Sequence, residues 1–157
     1  MKNKFFILII LLFFVSSCSI SNPLKKEAKV TYLDCPKSLI LLPASKIIIN
    51  NSTIELPNKY QLNCYQINQS EIVEISIDYK LILKLSEEEI KERQIQFLAF
   101  ITNKNEDKKL EELRVVKNLG LNKSNKNILE YNFNDKIQIA IEDYEKGIKL
   151  FMGISEY

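Results

Sequence analysis

From Ile72 the chain reads IVEISIDYKLILKL, in which Val73, Ile75, Ile77, Tyr79, Leu81, Leu83 and Leu85 alternate with Glu74, Ser76, Asp78, Lys80, Ile82 and Lys84. A period of two puts successive side chains on opposite faces, so the stretch predicts a strand with one buried face. It exceeds the usual length of about five or six residues, which implies that it bends or runs across the edge of a sandwich.

Shorter apolar runs surround it: LILL at 39–42, KIIIN at 46–50, TIEL at 53–56 and YQLNCYQI at 60–67, with Asn50 and Asn51 marking a turn between two of them. QIQFLAFIT at 94–102 is apolar on both faces and therefore reads as a central strand, followed by ELRVV at 112–116. The polar NKNEDKK between them predicts a hairpin loop, since it lacks the carboxylate spacing and closing Glu of a calcium loop. ILEYNF at 128–133, KIQIAI at 136–141 and IKLFMGI at 148–154 follow, and DYEKG with Gly147 predicts that the last two form an antiparallel hairpin. SEEEIKER, from Ser86, has capping-box form and predicts either a short helical turn or an acidic loop. Seven to nine short strands with turns between them predict an all-β fold, an antiparallel β-sandwich of immunoglobulin-like layout. The layout alone is meant, because the chain has no Trp to pack against a disulfide.

The N-terminus breaks this pattern. Lys2 and Lys4 precede an unbroken apolar run from Phe5 to Val15, and Ser16 and Ser17 close it. The order is that of an export signal, and the run falls short of the roughly 20 apolar residues that a spanning helix needs. A cysteine follows directly, and Val15-Ser16-Ser17-Cys18 resembles the lipobox of bacterial lipoprotein precursors. The resemblance implies cleavage before Cys18, a diacylglyceryl thioether on its sulfur and an acyl chain, such as palmitate, on the new amino terminus. Each buried methylene contributes about 0.8 kcal/mol, so several chains hold where one is marginal. Val15 stands where the family prefers Leu, and Ser19 is not the Asp that retains lipoproteins in the inner membrane, so the resemblance implies the outer membrane with the domain in the periplasm. The alternative is a plain secreted or uncleaved protein in which Cys18 is incidental.

The domain organisation that follows is a signal peptide at 1–17, a lipidated Cys18 and flexible tether at 18–29, and one β-sandwich domain at 30–157. SISNPLKKEAK, polar and interrupted by Pro23, is the tether. Removing residues 1–17 takes away Lys2 and Lys4 and no acid, so a formal charge of +2 becomes zero. A neutral chain whose only arginines are Arg93 and Arg114 carries no electrostatic footprint for nucleic acid.

Two cysteines remain, Cys35 and Cys64, and an exported chain meets an oxidising compartment, where the simplest reading is a disulfide. A metal pair or a reactive thiol is the alternative, against which stand the absence of histidine and of CxxC spacing. The lack of histidine also removes Ser-His and Cys-His nucleophiles and the commonest general base. Glu142 and Asp143 are adjacent and, on a strand, would face opposite ways. The expectation is therefore no enzyme, no cofactor and no metal. Tyr60, Tyr65, Tyr79, Tyr131 and Tyr144 could line a groove, with Tyr79 on the apolar face of its strand and assigned to the core, and Tyr60 and Tyr65 on opposite faces.

Cys35-Pro36 before an apolar strand, Cys64 before the long alternating strand, and DYEKGIKLFMG near the end are together similar to a group of α-proteobacterial lipoproteins without assigned activity. That group tends to have Gly-Phe where this chain has Gly153-Ile154. The similarity implies the anchor and the sandwich and adds no chemistry. Function is thus expected to be that of a lipid-anchored envelope protein, a non-enzymatic structural or protein-interaction module docking through its surface or a free strand edge. The alternative is a carrier or sensor with a small apolar molecule or lipid between its sheets.

Overall fold

The structure, a computed structural model, describes residues 28–49, 51–86, 93–120 and 127–157. In chain order its strands are β1 (Val30–Leu33), β2 (Lys37–Ile40), β3 (Lys46–Ile49), β4 (Ser52–Glu55), β5 (Tyr60–Ile67), β6 (Ile72–Lys84), β7 (Arg93–Asn103), β8 (Lys109–Leu119), β9 (Ile128–Ala140) and β10 (Ile148–Glu156). A 3-10 turn (Leu42–Ala44) links β2 to β3, and one helical turn, α1 (Ile141–Glu145), links β9 to β10. The expected all-β sandwich is what these strands build.

The 13-residue β6 is the spine of a six-stranded sheet. It pairs with β9 along its whole length, from Ile72 opposite Ala140 to Lys84 opposite Ile128. Its other edge is shared: β5 covers Val73 to Tyr79, and β4 covers Ile82 to Lys84. This division explains a strand so much longer than usual, since one continuous backbone serves two partners in succession. β1 flanks β5 and β3 flanks β4. The second sheet runs β2-β10-β7-β8 and is antiparallel except for the parallel pair of β2 and β10. β7 lies between β10 and β8, the central place that its two apolar faces predict.

The alternation in β6 sends Val73, Ile75, Ile77, Tyr79, Leu81 and Leu83 into the layer between the sheets. Ile95, Phe97, Ala99 and Ile101 of β7 and Leu150, Met152 and Ile154 of β10 meet them there. Phe97, fully buried, stacks on Tyr79 with ring centroids 4.0 Å apart. Burying one such side chain stabilises by about 1.5 to 3 kcal/mol, so this layer holds the sheets together.

Three local expectations are corrected. ILEYNF and KIQIAI are one 13-residue strand, β9, rather than two. The strand passes through Asn134 and Asp135 because Asp135, pointing inward, finds Lys117 and Tyr79 as partners. The hairpin expected between KIQIAI and IKLFMGI does not form: β9 belongs to the six-stranded sheet and β10 to the other, and α1 carries the chain across. Gly147, at φ +88°, ends that turn, with its N–H donating to Tyr144 O at 3.0 Å. Glu142 and Asp143 consequently sit side by side in a helical turn and not on a strand. Residues 87–92 of SEEEIKER lie outside the described residues, as do Cys18 and most of the tether.

The connection from β1 to β2 leaves one sheet for the other, and this crossover is pinned twice. Cys35 and Cys64 are disulfide-bonded, with Cα atoms 5.4 Å apart, inside the range that a disulfide bridges without backbone movement. The Tyr144 hydroxyl donates to the Asp34 carbonyl beside it. At the far side, the 3-10 turn lies against Gly153: a Cβ there would meet the Ala44 Cβ at 2.6 Å and the Ala44 carbonyl oxygen at 3.3 Å. A Gly153→Ala substitution is therefore expected to destabilise by about 1 to 3 kcal/mol through overpacking. Urea denaturation should show the loss, and adding Ala44→Gly should restore part of it; an unchanged midpoint in the single variant would refute the close contact.

Candidate functional site

From Glu74 to Lys80 the outward residues of β6 are polar, and the register places them in rows with those of its neighbours. Tyr65, Glu74 and Gln138 form one row, Asn63, Ser76 and Lys136 the next, then Gln61, Asp78 and Asn134, then Lys80 and Asn132. Within the rows and diagonally between them the side chains are cross-linked, as close cross-strand pairs allow. Asn63 Nδ2 donates to Asp78 Oδ2 at 3.2 Å, and Asn134 Nδ2 donates to Asp78 Oδ1 at 2.6 Å and to Ser76 Oγ at 2.7 Å. Lys136 pairs with Glu74 at 2.7 Å and donates to the Tyr65 hydroxyl at 3.0 Å, while that hydroxyl donates to Glu74. Lys80 and Glu130 pair at 2.6 Å further along.

This grid lines a shallow trough that follows β6. One section, of about 540 Å³, lies between Tyr32, Tyr65, Asn63, Asp78 and Asn134. The next, of about 680 Å³, shares Asp78 and Asn134 and continues to Lys59, Lys80 and Asn132, where β6 changes partner. Tyr32 of β1 stands at the rim, 76% exposed, edge-on to Tyr65 with centroids 6.3 Å apart. Asp78 differs from Glu74 and Glu130: its partners are two neutral amides, and no ion pair to it is found among the described residues.

The electrostatics of Glu74 follow from its partners. Its carboxyl is held below the usual glutamate range, first by the hydrogen bond from Lys136 and then by that from Tyr65, against the opposing effect of burial. Folding thus favours the ionised form, so Glu74 adds stability above its unfolded-state value and loses it as the pH falls through the lower folded-state value. The urea midpoint is expected to stay level from neutral pH to about pH 5 and to drop below about pH 4.3. Glu74→Gln should flatten part of that drop; an identical profile in the variant would show that the grid does not hold its charge.

A second polar group closes the seam between β8 and β9. Lys117 Nζ lies 2.7 Å from Asp135 Oδ1 and 4.8 Å from the Phe133 ring centre, and the Tyr79 hydroxyl donates to Asp135 Oδ2 at 2.7 Å. Burial, with Asp135 alongside, pushes the Tyr79 hydroxyl far above the ordinary phenol range, so it stays a donor. Both carboxylate oxygens take a partner from within the protein, an arrangement that staples the sheets.

The tyrosines expected to share a groove are dispersed. Tyr65 lines the trough, Tyr79 is in the core, Tyr131 donates to the Gly120 carbonyl at the seam, and Tyr144 secures the crossover. Tyr60 donates to the Ser38 carbonyl at 3.1 Å, which occupies an acceptor of β2, an edge strand of its sheet. Tyr32 is hidden from sequence reading because VTYL directly follows the polar tether, and its only signal is the short run of β-branched and aromatic residues Val30, Thr31 and Tyr32. Among the described residues no group of three or more Cys, Asp or Glu is placed to hold a metal ion, and no helix is long and apolar enough to cross a membrane. The chain matches no protein-family model, no curated protein and no solved structure.

Proposed function

We propose that this chain is a lipid-tethered, non-enzymatic recognition module of the bacterial envelope, anchored through Cys18, probing the periplasm with the outer face of its six-stranded sheet. The single observation that carries the reading is the trough along β6, whose polar side chains are already fixed by mutual hydrogen bonds. A side chain held in its binding conformation loses little further entropy when a partner arrives. The carrier alternative draws less support, because the layer between the sheets is occupied by Phe97, Tyr79 and the branched side chains around them.

Two experiments test the two halves of this proposal. Cys18→Ala is expected to abolish lipid labelling and release the protein from the membrane fraction; membrane retention without label would mean an uncleaved N-terminal anchor. A photo-crosslinking residue at Asn132 or Gln138, exposed on this face, is expected to capture an envelope component in cells, whereas the same residue at Asn118, on the opposite sheet, is not. Capture from Asn118 alone would move the docking face to the other side of the sandwich.

A further inference from the structure

The chemistry of the trough specifies more than a docking face. We infer that its partner is a neutral polysaccharide chain lying along β6, an inference that rests on the reading that this face is the docking face.

Five observations lead there. The trough lies on the face of a sheet and follows β6, whose own N–H and C=O groups are consumed by the ladders with β5 and β4 on one side and β9 on the other. A peptide that recognises a sheet by strand addition needs an open edge, so an occupant here is read by side chains alone. Those side chains, Asn63, Ser76, Asp78 and Asn134, mix donors with acceptors at close spacing. Hydroxyl groups, each both donor and acceptor, are the ligand groups that such a surface satisfies without leaving a buried polar atom unmatched.

The charges point the same way. Glu74 is paired with Lys136 and Glu130 with Lys80, and the Asp78 carboxylate, held between two neutral amides, is matched in formal charge by Lys59 further along, so the lining as a whole carries no net charge. An anionic chain would meet that carboxylate at the centre of the trough. A neutral polyhydroxyl ligand instead donates to its remaining lone pairs, a charge-assisted hydrogen bond and the stronger kind. Tyr32, 76% exposed at the rim, supplies the apolar contact: an aromatic ring matches the C–H face of a sugar, and its hydroxyl stays within reach of the sugar's own. The two sections of the trough join at Asp78 and Asn134 and run on towards Lys80, so the site suits a chain of several rings better than a single one.

The test uses the full-length lipidated protein in detergent micelles, titrated with β-linked hexasaccharides of glucose and of N-acetylglucosamine. An anionic hexasaccharide and a neutral extended octapeptide serve as comparisons. At least one neutral hexasaccharide is expected to bind saturably, and Tyr32→Ala and Asp78→Ala should each weaken it by about tenfold, the effect of losing one good contact. Tyr32 is exposed, so its variant keeps the fold, which circular dichroism verifies. Preference for the anionic chain or the peptide would overturn the inference, as would affinity unchanged in both variants. If no saccharide binds while a crosslinker at Asn132 captures an envelope protein, the saccharide is refuted and the docking face stands. If neither occurs, both fall.

Discussion

Replacing Phe97 by alanine is expected to destabilise the domain by about 3 to 5 kcal/mol, the usual cost of emptying a large aromatic site in a packed core. Phe97 has no solvent exposure and lies on the central strand of the four-stranded sheet, stacked on Tyr79 of the six-stranded one. The deletion would therefore strip the contact between the sheets at their inner strands, β7 and β6. The cost should lie at the upper end, because Tyr79 cannot tilt into the void without pulling its hydroxyl from Asp135. A fall of the urea midpoint at unchanged slope is the expected readout. A loss below about 1 kcal/mol would mean that the layer repacks freely and that the stack is not the centre of the core.

Opening the disulfide has an effect of similar size and a different origin. Cys35 and Cys64 are 29 residues apart, and the chain-entropy relation gives about 3.6 kcal/mol for closing a loop of that length. Cys64 is nearly fully buried, so Cys64→Ser would add the burial of an unpaired hydroxyl; the cleaner variant is Cys35→Ala with Cys64→Ala. The double variant is expected to unfold at a lower urea concentration, and the wild type under reductant should shift to nearly the same midpoint. A wild-type midpoint indifferent to reductant would show that the two thiols are not joined in the folded protein.

The strands that sequence reading placed best are those whose pattern is self-contained. The run from Val73 to Leu83 declares its buried face because every second residue is apolar, and the structure buries all of them. Asn51 is legible as a turn residue because the conformation it serves is local: it takes φ 65° in the hairpin of β3 and β4. Legibility fails where the deciding partner is distant in sequence. Asp135 looks like a strand break until Lys117 and Tyr79 are brought to it, and DYEKG looks like a hairpin turn until β10 finds β7 and β2.

The same reason hides the trough. Asn63, Asp78 and Asn134 are each an ordinary outward polar residue on an alternating strand, the pattern of any solvated sheet face. Only the register between β5, β6 and β9 shows that their side chains converge on one carboxylate. Tyr32 joins them through β1, a strand of four residues that is too short to announce itself.

The parallel ladder between β2 and β10 couples this architecture to the direction of synthesis. β2 is made early, but its one ladder partner among the described residues is β10, which starts at Ile148. In any amino-to-carboxyl delivery of the chain, β2 has no ladder partner until the residues from Ile148 onward are present. The core face that β10 contributes, with Leu150, Met152 and Ile154, stays open until that moment. Such long-range closure is slow, and it leaves apolar surface bare in the interval. A chain cut short before Ile148 would therefore leave β2 without its ladder and the inner face of β7 without the cover that Leu150, Met152 and Ile154 give it.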